Sequence, residues 1–191
     1  ERWETVVKMR GATLEDRLRV VKLALQGAGD SEGRARNSGK RGFNATRMHF
    51  LDIARRQLEL LAKDERYKER FEFQLAAAEY LAETGNPNSA LAAIQSLRNE
   101  GETLGSKAEL LFCRIAISTK QPELVEEATR ILNKLAASGG KTAIEAIRHF
   151  SLVHLVRPLS KEDLRQLHIY LDENQPSVVD RLRIYSLEFD L

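Results

Sequence analysis

The stretch Ala-Glu-Tyr-Leu-Ala-Glu-Thr-Gly-Asn-Pro-Asn-Ser-Ala-Leu occupies residues 78–91 and decides the fold. Its first half carries small and apolar residues at helical spacing, and Gly85 can adopt the left-handed conformation that closes a helix. Pro87 suits the first turn of a second helix, because the amide hydrogen that proline lacks would have no partner there. A connection this short makes neighbouring helices antiparallel. The stretch therefore predicts a helical hairpin.

Prolines recur along the chain at a nearly constant interval. Pro87, Pro122 and Pro158 are separated by 35 and 36 residues, and each lies between two amphipathic segments. Periods of roughly 20 to 50 residues are typical of solenoids, in which one hairpin cannot bury its apolar face alone. The spacing therefore predicts several stacked hairpins.

Helical periodicity extends over most of the sequence, and no segment alternates long enough to predict a strand. Three pairs have the form of a capping box, in which a hydroxyl side chain precedes a carboxylate by three residues. These pairs are Thr13 with Asp16, Ser106 with Glu109, and Ser160 with Asp163. Asp64 is a further candidate cap. The predicted helices lie at about 1–9, 13–26, 46–62, 65–84, 88–99, 106–119, 122–137, 141–156, 161–173 and 177–189.

The hairpin at 78–91 resembles the middle of a tetratricopeptide-repeat (TPR) motif, in which small residues let two helices approach closely. The matching residues are Ala78, Leu81, Gly85, Ala90, Ile94 and Leu97. The pattern weakens along the chain, since Lys120 stands where the next repeat would have its turn glycine. The resemblance implies an all-α fold, a right-handed α-solenoid of antiparallel helix pairs forming a TPR-like superhelix.

The domain organisation that follows is a single helical-repeat array over residues 1–191. Residues 1–64 form divergent helical pairs, 65–173 the TPR-like repeats and 174–191 a terminal helix. Because the chain begins at Glu1 without a methionine, we interpret it as an excerpt or processed form of a longer chain.

The composition favours a soluble, folded, helical protein, with 42% hydrophobic and 30% charged residues. The net charge of +2 creates no strong field that would recruit nucleic acid or anionic lipid. No apolar run approaches the roughly 20 residues of a membrane span, which predicts no membrane partner. Cys113 is the only cysteine, which fits a reducing compartment such as the cytoplasm but leaves the location open.

Residues 27–45 interrupt the helical pattern. They hold five of the eleven glycines and no apolar residue larger than alanine before Phe43, which predicts a flexible loop. A basic cluster lies in and beside this loop, composed of Arg34, Arg36, Lys40, Arg41 and Arg47. An alternative hypothesis is that the basic cluster binds nucleic acid or an acidic partner, although aromatic residues for base stacking are scarce.

No catalytic, metal or cofactor site is predicted. His149 and His154 are five residues apart, whereas a helix-borne metal pair usually has a spacing of four. Cys113 lies among apolar residues and is interpreted as a buried small hydrophobic residue rather than a nucleophile. The glycines of residues 27–45 approach two phosphate-binding motifs, but with wrong spacing and no preceding strand.

The function predicted from these observations is protein interaction without catalysis. In a solenoid the first helix of each pair lines a concave groove, where a peptide or partner segment can bind. By the resemblance, the lining positions are Glu72, Leu75, Glu79 and Glu83 in one repeat, and Lys107, Arg114 and Ile117 in the next. A further alternative is a structural or regulatory segment of a larger polypeptide.

Overall fold

A computed structural model describes residues 12–38, 42–99, 105–175 and 177–189. All regular secondary structure in these ranges is helical, which confirms the all-α class. The chain divides into two compact units, residues 1–100 (unit 1) and residues 101–191 (unit 2). The predicted helix at 1–9 lies outside the described residues.

Unit 1 contains five described helices. They are α1 (Leu14–Ser38), α2 (Gly42–Leu61), the single turn α3 (Glu65–Lys68), α4 (Phe71–Glu83) and α5 (Pro87–Asn99). Helix α1 packs along α2 and also contacts α4, while α4 contacts α2, α3 and α5. Buried residues of α1, α2 and α4 form one core cluster, to which Val21, Ala54 and Leu61 belong.

The prediction of a flexible loop at 27–45 is wrong for most of that segment. Residues 27–38 continue α1, residues 42–45 begin α2, and residues 39–41 lie outside the described residues. Gly27 serves close packing rather than a turn, because a Cβ built on it would lie 3.0 Å from the Phe50 ring of α2. Ala28 is fully buried beside it, so small residues let the two helices approach here.

The predicted helix at 65–84 is divided in two. Asp64 caps α3 as predicted, since its side chain accepts a hydrogen bond from the Arg66 amide at 3.1 Å. Helix α3 has no buried residue to hold it in line with α4. Arg70 then adopts an extended conformation, and α4 begins at Phe71.

The α4–α5 hairpin is the one that the stretch at 78–91 predicts. Gly85 has a φ of 84°, and the amides of Gly85 and Asn86 donate to the carbonyls of Ala82 and Leu81, a Schellman closure of α4. Ala78 and Ala90 are both fully buried, as their small size in the motif requires.

Unit 2 contains the remaining described helices. They are α6 (Ser106–Thr119), α7 (Pro122–Ala136), α8 (Gly140–His154), α9 (Lys161–Asn174) and α10 (Val178–Phe189). Helix α6 contacts α7 and α8, α7 contacts α8, and α8 contacts α9 and α10. Phe112, Leu132 and Phe150 are fully buried, which places the core of this unit where α6, α7 and α8 meet.

The helix ends of unit 2 follow the sequence signals in part. Pro122 is the first residue of α7, and Ser160 with Asp163 forms a complete capping box. The prediction for Ser106 is wrong, because Gly105 is the N-cap of α6 and no side chain caps that end. Lys120 takes the left-handed conformation, with a φ of 58°, that glycine would adopt more easily in this turn.

Candidate interaction surfaces

A cleft of about 310 Å³ lies between α1 and α4 in unit 1. We call it the α1–α4 cleft and define it by Leu14, Glu15, Leu18, Arg19, Lys22, Arg70 and Glu72. Thr13 and Asp16 cap the start of α1, with the Asp16 amide donating to the Thr13 hydroxyl at 3.2 Å. This cap fixes the first turn of α1, which carries one wall of the cleft.

The floor of the α1–α4 cleft is apolar, while its rim is charged. Leu14 is half-buried and Leu18 is buried, and their i, i+4 spacing puts both side chains on one face of α1. Arg19, Lys22 and Arg70 are exposed on the rim, together with the carboxylates of Glu15 and Glu72. The surface therefore offers apolar contact flanked by three cations and two anions.

The three rim cations differ from most arginines of the described chain. Arg55, Arg66 and Arg148 each form an ion pair with a carboxylate at 2.7 or 2.8 Å. Within the described residues Arg19, Lys22 and Arg70 form no ion pair. Hydrogen bonds from Thr13 are the main cause that lowers the pKa of Asp16, and the charge of Arg19 is a smaller cause. Among the described residues, the three cations therefore share the rim with Glu15 and Glu72 without forming a close ion pair.

The four groove positions predicted on α4 have different environments. Glu72 is exposed and lines the α1–α4 cleft. Leu75 and Glu79 are half-buried. The carboxylate of Glu83 lies 3.6 Å from the Arg47 guanidinium of α2, and its backbone carbonyl accepts a hydrogen bond from the same arginine. Glu83 therefore holds α2 against the C-terminal end of α4.

The three groove positions predicted on α6 also differ in their exposure to solvent. Lys107 is exposed and Arg114 is half-buried. Ile117 is only 3% exposed, so its prediction as a groove-lining residue is wrong. It belongs to a run of buried residues in the second half of α6, where the helix is apolar around most of its circumference.

The predicted basic cluster does not form one loop surface. Arg34 and Arg36 belong to the helical span of α1, whereas Lys40 and Arg41 lie outside the described residues. Arg47 is in α2 and is engaged with Glu83, as described above. The described residues therefore do not form a flexible basic loop that ends at Arg47.

A second cavity, of about 440 Å³, lies in unit 2 between the α6–α7 turn and the end of α8. Apolar groups of Pro122, Val125 and Val156 line it, together with Lys120, Glu126 and Arg157. The Arg157 guanidinium donates to Asp163 and to the buried hydroxyl of Thr129, both at 3.4 Å. Arg157 therefore ties the linker after α8 to α7 and α9.

Two titratable side chains of unit 2, Cys113 and His149, are shielded from solvent to different degrees. Cys113 is fully buried, as predicted, and its thiol donates a hydrogen bond to the Ala128 carbonyl at 3.5 Å. Nδ1 of His149 donates to the Glu145 carbonyl at 2.7 Å. Burial lowers the pKa of His149 below its ordinary value, because it disfavours the charged ring.

The described residues contain no group of three or more histidine, cysteine, aspartate or glutamate side chains arranged to hold a metal ion. None of their helices is both long enough and apolar enough to span a membrane.

Comparison with protein-family models, with curated proteins and with solved structures finds no match to this chain. The resemblance to the TPR motif therefore depends on the residues of the α4–α5 hairpin alone.

Sequence reasoning missed the cations of the α1–α4 cleft. Arg19 and Lys22 follow the apolar pair Leu14 and Leu18 on adjacent faces of one helix, which is a signal that could have been read. Arg70 could not be found in this way, because the sequence predicted a continuous helix through the residue where the structure has a break.

Proposed function

We propose that the chain is a non-catalytic interaction scaffold that binds an acidic, amphipathic segment of a partner protein in the α1–α4 cleft. The observation that carries this proposal is the cleft itself. It lies between the first helices of two hairpins and combines an apolar floor with three cations that form no ion pair with a carboxylate of the described residues. In TPR-like proteins the first helices are the ones that line the groove.

The order of helix contacts supports a TPR-like solenoid as the framework of this scaffold. In unit 1 the first helix α1 contacts its own second helix α2 and the next first helix α4. In unit 2 the same order recurs, with α6 contacting α7 and α8, and α8 contacting α9 and α10. Contacts restricted to successive hairpins are typical of stacked repeats.

The chemistry of the cleft indicates what its occupant must carry. Leu14 and Leu18 favour one or two apolar side chains, which reach the floor. Arg19, Lys22 and Arg70 favour carboxylates on either side of those apolar groups, while Glu15 and Glu72 discourage a uniformly acidic strand. An amphipathic segment with spaced acidic residues satisfies both conditions.

The proposal can be tested by selecting from a library of random displayed peptides on the immobilised protein. We expect enriched sequences to combine leucine or phenylalanine with aspartate or glutamate. The triple variant Arg19→Ala, Lys22→Ala, Arg70→Ala should bind an enriched peptide about tenfold more weakly, since three close charges are lost. The control variant Lys63→Ala, Arg130→Ala, Lys141→Ala removes the same charge from exposed positions outside the cleft and should bind as wild type does.

Equal binding by both triple variants would contradict the assignment to the α1–α4 cleft. Nucleic-acid binding by the basic cluster is the alternative, and it is weakened because Arg47 is engaged with Glu83. Salt-sensitive binding of RNA or DNA, together with no enriched peptide, would reverse this order. Enrichment of no ligand would favour a purely structural segment of a larger polypeptide.

A further inference from the structure

The cavity of about 440 Å³ in unit 2 combines an apolar wall with two cations. We call it the unit 2 cavity and define it by its lining residues, Lys120, Pro122, Val125, Glu126, Val156 and Arg157. Its volume falls within the range of roughly 300–1,000 Å³ that is typical of sites for small molecules. The unit 2 cavity therefore has room for a small organic ligand.

The apolar wall of the unit 2 cavity consists of Pro122, Val125 and Val156. Val125 is buried, Val156 is half-buried and Pro122 is exposed. Pro122 and Val125 belong to the first turn of α7, whereas Val156 follows the end of α8. A ligand with an apolar body therefore contacts aliphatic groups from two parts of the chain and shields them from water.

Lys120 brings a cation to the cavity from a backbone conformation that favours glycine. Its φ is 58°, in the left-handed region that is unfavourable for a residue with a Cβ. The turn is fixed by local hydrogen bonds, from the Lys120 amide to the Ile117 carbonyl at 3.1 Å and from the Gln121 amide to the Thr119 hydroxyl at 3.3 Å. Within the described residues the Lys120 ammonium forms no ion pair. Lysine at this position therefore supplies a charge at a conformational cost that glycine would avoid.

Arg157 supplies the second cation, and its guanidinium is held in place by three acceptors. It donates to the Pro158 carbonyl at 3.1 Å and to the Thr129 hydroxyl and the Asp163 carboxylate, both at 3.4 Å. The Asp163 carboxylate also accepts two shorter hydrogen bonds, at 2.9 Å, from Ser160. A guanidinium has five N–H donors, so these contacts leave donors for a ligand on a side chain that is 37% exposed.

The charges of the lining favour a singly charged carboxylate. Lys120 and Arg157 together outnumber the one carboxylate of the lining, Glu126. A guanidinium matches the two oxygens of a carboxylate in geometry, while the negative charge of Glu126 disfavours a doubly charged ligand such as phosphate. We propose that the unit 2 cavity binds a small carboxylate with an apolar body. The carboxylate of the ligand lies at Lys120 and Arg157, and its body lies on the apolar wall.

Titration of the nitrogen-15-labelled 191-residue chain with 3-phenylpropionate tests the proposal. We expect saturable binding with a dissociation constant below about 5 mM, and the largest amide shifts in residues 119–126 and 153–157. The amide 3-phenylpropanamide has the same apolar body without the charge, and acetate has the charge without the body. Each should bind at least about fivefold more weakly, because each makes only one of the two kinds of contact.

The variant Lys120→Gly separates binding from folding. Because glycine adopts the left-handed conformation readily, the urea midpoint should rise, while loss of the cation should weaken 3-phenylpropionate binding at least about fivefold. Gln175→Gly is the matched control, since Gln175 is exposed, has a φ of 45° and lies outside the cavity lining. It should raise the urea midpoint in the same way and leave binding unchanged.

Absence of saturable binding would overturn the proposal, and so would binding that Lys120→Gly leaves intact. Equal binding of 3-phenylpropanamide would contradict the role of the carboxylate, and equal binding of acetate would contradict the role of the apolar wall. If Gln175→Gly weakened binding as much as Lys120→Gly, the loss would not come from the cation. Tighter binding of inorganic phosphate than of 3-phenylpropionate would contradict the preference for a single charge.

Discussion

The close contact between Gly27 and Phe50 leads to a prediction about two glycines of the same helix. Both Gly27 and Gly29 lie inside α1, where replacing glycine by alanine should stabilise the helix by about 0.5–1 kcal/mol. A Cβ on Gly29 would meet no atom within 4 Å, so Gly29→Ala should show this full gain. A Cβ on Gly27 would lie 3.0 Å from two atoms of the Phe50 ring, so Gly27→Ala must displace the ring and lose most of the gain.

A double-mutant cycle measures this contact directly. Phe50→Leu removes the ring, so Gly27→Ala made in that background should recover about 0.5–1 kcal/mol more than it gives in the wild type. Gly29→Ala should give the same gain in both backgrounds. The free energy of unfolding is obtained from urea denaturation, with circular dichroism at helical wavelengths as the signal.

Two results would contradict this description of α1 and its contact with α2. If Gly29→Ala were neutral or destabilising, α1 would not continue as a regular helix through this segment, and the flexible loop predicted from the sequence would be the better description. If Gly27→Ala were as stabilising as Gly29→Ala and uncoupled from Phe50, the two helices would not approach as closely as described.

Three further predictions concern buried groups. Ala90→Leu should lower the free energy of unfolding by roughly 1–3 kcal/mol, because it overpacks the fully buried α4–α5 contact. Ala92→Leu, on the exposed side of α5, should change the urea midpoint little. Equal effects of the two substitutions would contradict the packing of this hairpin. Burial lowers the pKa of His149 in the folded chain, so the unfolded chain binds a proton at this ring more readily than the folded chain does. The free energy of unfolding should therefore decrease as the pH drops through 6.5, the ordinary pKa of histidine. His149→Gln should flatten this part of the profile of urea midpoint against pH, and an unchanged profile would exclude His149 as its source. The buried thiol of Cys113 should react slowly with dithionitrobenzoate in the native state and rapidly in denaturant, whereas fast native labelling would show that it is accessible.

The α4–α5 hairpin was predictable because local signals and packing agree there. Gly85 closes α4, Pro87 begins α5, and buried Ala78 and Ala90 fit a close helix pair. The capping pairs at Thr13 and Ser160 were predictable for the same reason, since a hydroxyl and a carboxylate three residues apart satisfy each other without tertiary contacts.

The segment after Leu25 was not predictable from local signals. Glycine stops many helices, and the sequence around Gly27 and Gly29 offers no large apolar residue that would favour continuing one. The deciding interaction is the approach of Phe50, which is 23 residues further along the chain and becomes a neighbour only after α1 and α2 pack. Tertiary packing overrides glycine's low helix propensity at this position.

The candidate surfaces were predictable only in part. Glu72 was assigned to a partner-binding groove through its place on α4. The structure puts it in the lining of the α1–α4 cleft, and its part in binding stays a prediction. Ile117 was assigned by the same rule and is buried, because the rule gives a helix face but not what packs against it. The exposed apolar residues Val178, Val179 and Leu182 left a signal in the sequence, since α10 has apolar residues on more of its circumference than one buried face requires.

The most direct test of the scaffold proposal is a chemical-shift titration of the nitrogen-15-labelled protein with a peptide enriched by selection. We expect the largest amide shifts in residues 14–22 of α1 and residues 70–75 at the start of α4. The Arg19→Ala, Lys22→Ala, Arg70→Ala variant should lose these shifts. Shifts concentrated elsewhere in the chain, or shifts that persist in that variant, would contradict binding in the α1–α4 cleft.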